Sequence, residues 1–287
     1  MIVSLWNLRK HNSNLPVTLY TTTPESHEVA RHCLNDKRLG DVSHRITNEL
    51  AIKKNRQFIT KVHLCSIAPQ DTVLYLDADT LPMADVSPVL DAAEEHEFAA
   101  TQFCNWVTTG PKIQKRLTAL RDAVKSHAQG DGTDQTYFLP DVDRMLAACS
   151  DERCPLPSVN GGIFATKRSA TLLRDWYNLS MAGRRAFICD ESALHLVLTR
   201  HKHAVLTGGQ WNCSGHLGGE IEGPIKIWHF HGEKHIKRDS SKEIWLPAFR
   251  EVWDANVADI KSWAPAGDGD LEGYLNEEVG SGAAMCD

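Results

Sequence analysis

The stretch Val73–Pro82 reads VLYLDADTLP, four apolar residues followed by two aspartates that a single residue separates. A short continuous apolar run between polar residues is typical of a strand buried on both faces, as in a parallel sheet. Open α/β sheets bind their ligands at the carboxyl ends of strands, which is where Asp77, Ala78 and Asp79 fall. The stretch therefore predicts a buried strand that ends in a ligand-binding turn.

Asp77 and Asp79 are candidates for holding a divalent cation. Two neighbouring carboxylates in a partly buried place repel each other unless a cation lies between them. Mg²⁺ and Mn²⁺ prefer oxygen ligands and can bridge protein carboxylates to the phosphates of a substrate. The alternative is that both acids only end a strand and begin a turn, since Asp-x-Asp is a common tripeptide. The apolar run directly before the pair favours the metal-binding interpretation.

A histidine-rich segment, IWHFHGEKH at positions 227–235, also follows a predicted strand. A neutral imidazole can complete the coordination of a metal such as Mn²⁺. His229 is the better ligand candidate, because His231 alternates with it and faces the other side of the strand. The alternatives are a surface turn or a separate zinc site with tetrahedral His and Cys ligands. No second tight cluster of such residues in the sequence supports zinc.

The same segment continues with residues suited to a phosphate. Gly232 lets the backbone approach a phosphate closely, because it has no side chain. Lys234 or His235 can neutralise the charge of a departing diphosphate. We therefore predict that Gly232, Lys234 and His235 contact the diphosphate of a nucleotide.

Two further motifs carry side chains suited to a sugar. Asn160 offers a donor and an acceptor for hydroxyl groups, and Gly161 and Gly162 permit close approach. The alternative for this motif is an ordinary Asn-Gly turn before a strand. Asp190 and Glu191 precede a helical pattern, where acids can simply complement the helix dipole. They could instead orient a sugar or stabilise positive charge at its anomeric carbon.

Strand and helix patterns alternate along the rest of the chain, which predicts an α/β sandwich with a mainly parallel central sheet. Residues 1–11 have the spacing of a helix, and residues 46–65 read as one long or broken helix. We predict a single domain over residues 1–262 and a disordered tail, rich in Gly, Ala, Asp and Glu, over residues 263–287. Further strands are predicted at 17–21, 97–102, 162–166, 204–207 and 224–228.

The composition argues against several classes of function. The 287-residue chain has a formal net charge of -6 and lacks the basic footprint of a nucleic-acid-binding protein. An acidic enzyme that handles phosphates needs a local cation, such as a metal. None of the eight cysteines forms a Cys-x-x-Cys pair, which favours free thiols, although an even number also permits disulfides. The sequence shows no signal peptide and no membrane-spanning run, so we expect a cytoplasmic protein.

In this order, the four motifs resemble those of retaining glycosyltransferases with the GT-A fold, close to the glycogenin-like group known as family eight. The resemblance covers residues 1–237 and rests on Asp77–Asp79, Asn160–Gly162, Asp190–Glu191 and His229–Gly232. It implies that the Asp-x-Asp motif binds Mn²⁺ (or Mg²⁺) and a nucleotide-sugar, and that His229 is the third metal ligand. It further implies a UDP-sugar donor and transfer with retention of anomeric configuration. No feature of the chain identifies the acceptor.

The chain departs from the pattern of that group at three places. Glu191 stands where the group has Gln. His235 stands where it has Lys, with Lys234 and Lys237 as possible substitutes. The first strand of the group, whose following loop contacts the nucleotide base, is missing, so the chain is expected to begin inside the next helix.

Four alternatives stay open at this point. Asp134–Gln135 competes with Asp190–Glu191 as the Asp-Gln pair, although it precedes the Asn-Gly-Gly motif. Arg56 and Lys61 compete for the basic residue that the group places before the Asp-x-Asp strand. A nucleotide-sugar-binding protein without catalysis would explain the missing strand and Glu191. A nucleotidyltransferase of the same fold is the other function, but no Gly-rich loop with Arg and Lys follows an N-terminal strand.

Overall fold

The computed structural model describes residues 2–21, 27, 30–31, 39–46, 57–102, 110–128, 136–149, 159–183, 190–214, 221–229, 254–256 and 258. Its helices are α1 (Ile2–His11), α2 (Gln57–Ser66), α3 (Ser87–His96), α4 (Gly110–Ala128), α5 (Leu139–Ala148), α6 (Thr171–Gly183) and α7 (Asp190–Leu198), with a 3₁₀ turn at Thr136–Phe138. Its strands are β1 (Val17–Thr21), β2 (Val42–Ile46), β3 (Thr72–Leu76), β4 (Thr80–Pro82), β5 (Phe98–Gln102), β6 (Val159–Lys167), β7 (Ala204–Leu206), β8 (Cys213–Ser214) and β9 (Ile227–His229). Among the described helices, none combines the length and apolar character that crossing a bilayer requires.

The central sheet has four strands in the order β3-β6-β5-β7. β6 runs antiparallel to both of its neighbours, whereas β7 runs parallel to β5. Three of the four strands therefore point the same way, which confirms the predicted α/β fold with a mainly parallel central sheet. A parallel pair, β1-β2, and a three-stranded sheet, β4-β9-β8, form separately from it. Within the latter, β9 is antiparallel to β4 and parallel to β8.

Helices cover both faces of the central sheet, and β6 contributes to both cores. On one face, α3 places Val89 in a buried cluster with Ile163. On the other face, Phe164 lies 5.2 Å from the ring of Trp176 in an edge-on arrangement, and Phe98 stacks on Phe164 at 5.4 Å. Because neighbouring residues of a strand point to opposite faces, Ile163 and Phe164 enter different cores. This explains why β6 is buried along nearly its whole length.

Two expectations from the sequence were wrong. Ile46 does not begin a helix, because it ends β2 and pairs with Thr21 of β1. The backbone bonds of this pair override the apolar spacing, and the described helix of this region begins only at Gln57. The second error concerns Thr72–Leu76, which is half-buried rather than buried on both faces. β3 is the terminal strand of its sheet, so one of its edges is open to a groove.

That groove, about 330 Å³ in volume, lies between β1 and β3. It is lined by Val17–Tyr20, by Thr72–Leu76 and by Leu5 and Leu8 of α1. Among the described strands, β1 pairs only with β2 and β3 pairs only with β6, so each turns an edge towards the groove. The first described element is α1 rather than a strand, as the sequence predicted.

We predict that acid weakens the fold through His195, a fully buried residue of α7. Its Nε2 donates to the carbonyl of Val159 at 2.9 Å, and burial lowers the pKa of the imidazole from 6.5 to about 4. Between these values the unfolded chain binds a proton that the folded chain does not bind. The free energy of unfolding should therefore fall as pH drops from 6.5 to 4, by about 3 kcal/mol from this residue.

The variant His195→Gln keeps an N–H donor but cannot titrate. Urea unfolding of both proteins between pH 7 and pH 4 measures the contribution, because all other titrating groups are shared. We expect the stability difference between the two proteins to shift in favour of His195→Gln as pH falls. Parallel curves for the two proteins would contradict this prediction.

Candidate functional site

The Asp77–Asp79 segment forms a tight turn directly after β3. The backbone N–H of Asp77 donates to the carbonyl of Gly162 at 2.8 Å, which anchors the start of the turn to β6. The backbone N–H and the hydroxyl of Thr80 both donate to the carbonyl of Asp77, at 3.1 and 2.8 Å. The turn thus holds the two carboxylates at the end of a strand, as the sequence predicted.

His229 reaches the same place through the pairing of β9 with β4. In this antiparallel pair His229 lies opposite Thr80, the residue that follows Asp79. Its Nε2 atom lies 3.4 Å from Oδ1 of Asp79 and 3.8 Å from Oδ2 of Asp77. One ligand atom from each of the three residues lies within 4.8 Å of the other two. The structure therefore brings together all three residues that the sequence predicted as metal ligands.

The three side chains suit a hard divalent cation. Neighbouring ligands of an octahedral site lie about 3 Å apart, because bonds of about 2.1 Å meet at right angles. The spacings at His229 exceed this value by less than about 1 Å, which a rotation of either aspartate can supply. The side chain of Asp79 is 48% exposed, so the site is open to a phosphate, whereas His229 is buried. Two carboxylates with one imidazole offer oxygen and nitrogen ligands to a divalent cation.

Tyr75 and Lys61 hold the carboxylate of Asp77. The hydroxyl of Tyr75 donates to Oδ1 of Asp77 at 2.7 Å. Burial, followed by the charge of Asp77, raises the pKa of Tyr75 well above 10, so this hydroxyl keeps its proton. The ammonium of Lys61 lies 3.7 Å from Oδ2 of Asp77 and donates to the carbonyl of Gly161 at 2.9 Å.

Lys61 was one of the two basic residues predicted as candidates from the sequence, whereas Tyr75 was not predicted. Spacing could have indicated Tyr75, because residues two apart on a strand point to the same face. Tyr75 lies two residues before Asp77. The competing candidate, Arg56, lies outside the described residues.

Asn160, Gly161 and Gly162 lie inside β6, so the alternative of a turn before the strand was wrong. Asn160 accepts from the backbone N–H of Gly162 at 2.7 Å and donates to the carboxylate of Glu191. At Gly162 an added Cβ would lie 2.3 Å from Cε1 of His229 and 2.7 Å from Oδ2 of Asp77. The missing side chain of Gly162 therefore lets Asp77 and His229 approach each other over β6.

Of the remaining predicted residues, some lie within the described part of the chain and others lie outside it. Glu191 lies in the first turn of α7, is half-buried and contacts the site through Asn160. Asp190 is the first residue of the same helix. Gly232, Lys234 and His235 lie outside the described residues, so their contacts with a diphosphate stay predictions. Asp134–Gln135 also lies outside them.

Cys65, Cys149 and Cys213 are buried, and Cys65 is a free thiol, as the sequence favoured. Burial raises the pKa of the Cys65 thiol to about 12, so it stays protonated and unreactive. The other five cysteines lie outside the described residues.

Comparison with known proteins adds a structural likeness without a sequence match. No family model matches the sequence, and no curated protein matches it. Mouse xyloside xylosyltransferase 1 is 13% identical, with a TM-score of 0.46 over 81% of this chain and 92% of that chain. The bifunctional glycosyltransferase WbbM is 15% identical, with a TM-score of 0.46 over 79% of this chain and 42% of that chain.

The fold argument rests on a third structure, an active-site mutant of LgtC. It is 13% identical, with a TM-score of 0.50 over 88% of this chain and 90% of that chain. The chain has the GT-A fold of the glycosyltransferases.

Proposed function

We propose that this protein is a metal-dependent glycosyltransferase that moves a sugar from a nucleotide-sugar, a UDP-sugar, to an acceptor with retention of configuration. The observation that carries the proposal is the convergence of Asp77, Asp79 and His229 at the end of β3. His229 is distant along the chain from the two aspartates, and the three side chains lie at the strand end where an α/β fold of this kind binds its ligand. The proposal is supported further by the likeness to LgtC in fold.

One group of residues is proposed to act on the diphosphate of the donor. A divalent ion, Mn²⁺ or Mg²⁺, when bound by Asp77, Asp79 and His229, supplies Lewis-acid neutralisation of the departing diphosphate. Tyr75 and Lys61 keep the carboxylate of Asp77 oriented for that task. Gly232, Lys234 and His235 are proposed to bind the phosphate oxygens from the segment after β9.

Asn160 and Glu191 are proposed to act on the sugar. Their direct hydrogen bond orients the Glu191 carboxylate beside the glycine segment of β6. Gly161 and Gly162 leave room there for a sugar ring close to the backbone. A carboxylate at that position can stabilise positive charge at the anomeric carbon or attack it as a nucleophile. Asp190, at the start of α7, is the second candidate for either role.

A second function, binding of a nucleotide-sugar without transfer, is favoured by one observation. Among the described strands, β1 and β3 do not pair with each other, and a groove lies between them beside the proposed metal site. Asp77 and Ala78 line this groove together with β1, so nucleotide contacts on this side come from strand edges. A site built in this way can keep the metal and the diphosphate while losing catalytic alignment.

A donor screen with Mn²⁺ tests the proposal. The protein is incubated with UDP-sugars, GDP-sugars and nucleoside triphosphates, and release of nucleoside diphosphate or pyrophosphate is measured beside calorimetric binding. We expect metal-dependent release of UDP from one UDP-sugar, including slow hydrolysis without an acceptor. Metal-dependent UDP binding with no turnover of any donor would favour the binding protein. Release of pyrophosphate would favour a nucleotidyltransferase, and neither binding nor release would contradict the proposal.

A further inference from the structure

A row of buried hydrogen bonds connects the centre of the sheet to His229. The hydroxyl of Thr101, on β5, donates to the carbonyl of Ile163 on β6 at 2.8 Å. The side-chain amide of Asn212 donates from Nδ2 to that hydroxyl oxygen at 2.9 Å. Its Oδ1 lies 2.9 Å from Nδ1 of His229. Thr101 and Asn212 are fully buried, and His229 is 1% exposed.

The direction of each bond in this row follows from its first member. The carbonyl of Ile163 has no hydrogen and can only accept, so the single hydroxyl hydrogen of Thr101 is used there. The oxygen of Thr101 must then accept from Asn212, which places Nδ2 towards Thr101. The remaining amide atom, Oδ1, can only accept, so Nδ1 of His229 carries a hydrogen.

In a neutral imidazole with a hydrogen on Nδ1, the other nitrogen carries a lone pair. That nitrogen, Nε2, is the atom that faces Asp77 and Asp79 at 3.8 and 3.4 Å. We propose that Asn212, oriented by Thr101, is a positioning residue that sets His229 to its Nδ1–H tautomer and presents Nε2 to the metal. This inference rests on the proposed metal site and names two residues that act through His229.

The position of Asn212 in the fold supports this role. Asn212 precedes β8, which runs parallel to β9, so its side chain lies beside His229 rather than at the surface. Asn212-Cys213-Ser214 matches a glycosylation sequon, but in the folded protein the amide is fully buried and bonded at both ends. A hydrogen bond that fixes the tautomer and ring angle of a ligating histidine is worth about 10- to 100-fold in metal affinity.

Two disruptive variants and one conservative control variant test this series of hydrogen bonds. Asn212→Leu removes both bonds of the amide. Thr101→Val keeps the shape of the residue but removes the hydroxyl that orients Asn212. Thr101→Ser is the matched control, because it restores a hydroxyl that can accept from Asn212 and donate to Ile163. Thermal unfolding monitors the fold of each variant, and Thr101→Val with Thr101→Ser decides the question if Asn212→Leu does not fold.

The first readout is the tautomer of His229 in the metal-free protein, measured by long-range ¹H–¹⁵N NMR. The signals of this ring are assigned by their loss in His229→Gln. The second readout is the dissociation constant of Mn²⁺, measured by electron paramagnetic resonance. We expect an Nδ1–H ring in the wild type and in Thr101→Ser. In Asn212→Leu we expect loss of that signature and Mn²⁺ binding about 10- to 100-fold weaker, with a smaller loss in Thr101→Val.

The outcomes separate this inference from the function on which it rests. An Nε2–H ring in the wild type, or unchanged Mn²⁺ affinity in folded Asn212→Leu and Thr101→Val, would overturn the positioning role. An Nδ1–H ring in a wild-type protein that binds no Mn²⁺ would overturn the proposed function while supporting the tautomer assignment.

Discussion

Asp79→Asn is expected to lower Mn²⁺-dependent release of UDP by roughly 1,000-fold, because a carboxylate ligand of the metal is lost. The amide keeps the shape of the side chain but removes the negative charge that binds the cation. Lewis-acid stabilisation of a leaving diphosphate contributes several kcal/mol, and about 4 kcal/mol corresponds to a factor of about 1,000. Since the side chain of Asp79 is 48% exposed, the free energy of unfolding should change little.

Asp79 is a cleaner test than Asp77. The carboxylate of Asp77 accepts from Tyr75 and lies beside Lys61, so its replacement would also disturb buried partners. Asp91→Asn is the matched control, because Asp91 is an exposed aspartate of α3 outside the site. The measurement is initial UDP release against Mn²⁺ concentration for the donor that the screen identifies. Activity of Asp79→Asn within tenfold of the wild type at saturating Mn²⁺ would rule out its role as a ligand.

The second large effect is expected at Gly162. In Gly162→Ala the new Cβ would lie 2.3 Å from Cε1 of His229 and 2.7 Å from Oδ2 of Asp77, closer than real Cβ atoms approach their neighbours. Movement of the backbone of β6 is restrained, because the strand pairs with β3 and β5 and is buried along nearly its whole length. His229 and Asp77 must therefore move apart. We expect the dissociation constant of Mn²⁺ to rise by about 100-fold or more. We also expect the free energy of unfolding to fall by about 1–3 kcal/mol.

A matched control separates the damage to the site from the loss of stability. Ala165→Gly changes the same strand on the opposite face, where Ala165 belongs to a buried cluster. We expect this change to lower the free energy of unfolding by about 1 kcal/mol, and it places no new atom near Asp77 or His229. Mn²⁺ affinity, from paramagnetic resonance, and urea unfolding are measured for both variants. We expect both variants to be less stable, but only Gly162→Ala to lose metal affinity. Wild-type affinity in Gly162→Ala would show that the ligands do not need the close approach seen over β6.

The local patterns of the sequence were sufficient for much of the fold. β1 at Val17–Thr21 and α1 at Ile2–His11 agree with the predicted segments, because apolar spacing over one short element reports which face is buried. The same patterns failed at Ile46 and at Thr72–Leu76. Pairing with β1 and an open sheet edge decide those two segments, and neither is encoded in the spacing of nearby residues.

The residues of the candidate site were also only partly predictable from the sequence. Asp77 and Asp79 could be selected from the sequence, because an acidic pair after an apolar run places two carboxylates at a strand end whatever the rest of the fold does. His229 was a candidate because it follows a predicted strand, and the resemblance to a known group implied that it is the third ligand. The sequence alone therefore determined the chemistry of the ligands and the type of fold.

Only the tertiary structure decided how those ligands are held. Tyr75 and Lys61 approach Asp77 from β3 and α2, and Thr101 with Asn212 approaches His229 from β5 and from the start of β8. Apart from Tyr75, these residues are distant along the chain from the ligand candidates that they support, so their contacts depend on strand order and register. Hydrogen bonds are directional and short, and a shift of one residue in β5 or β9 would remove them. For this physical reason, residue type and spacing predicted the candidate metal ligands, but not all of the residues that position them.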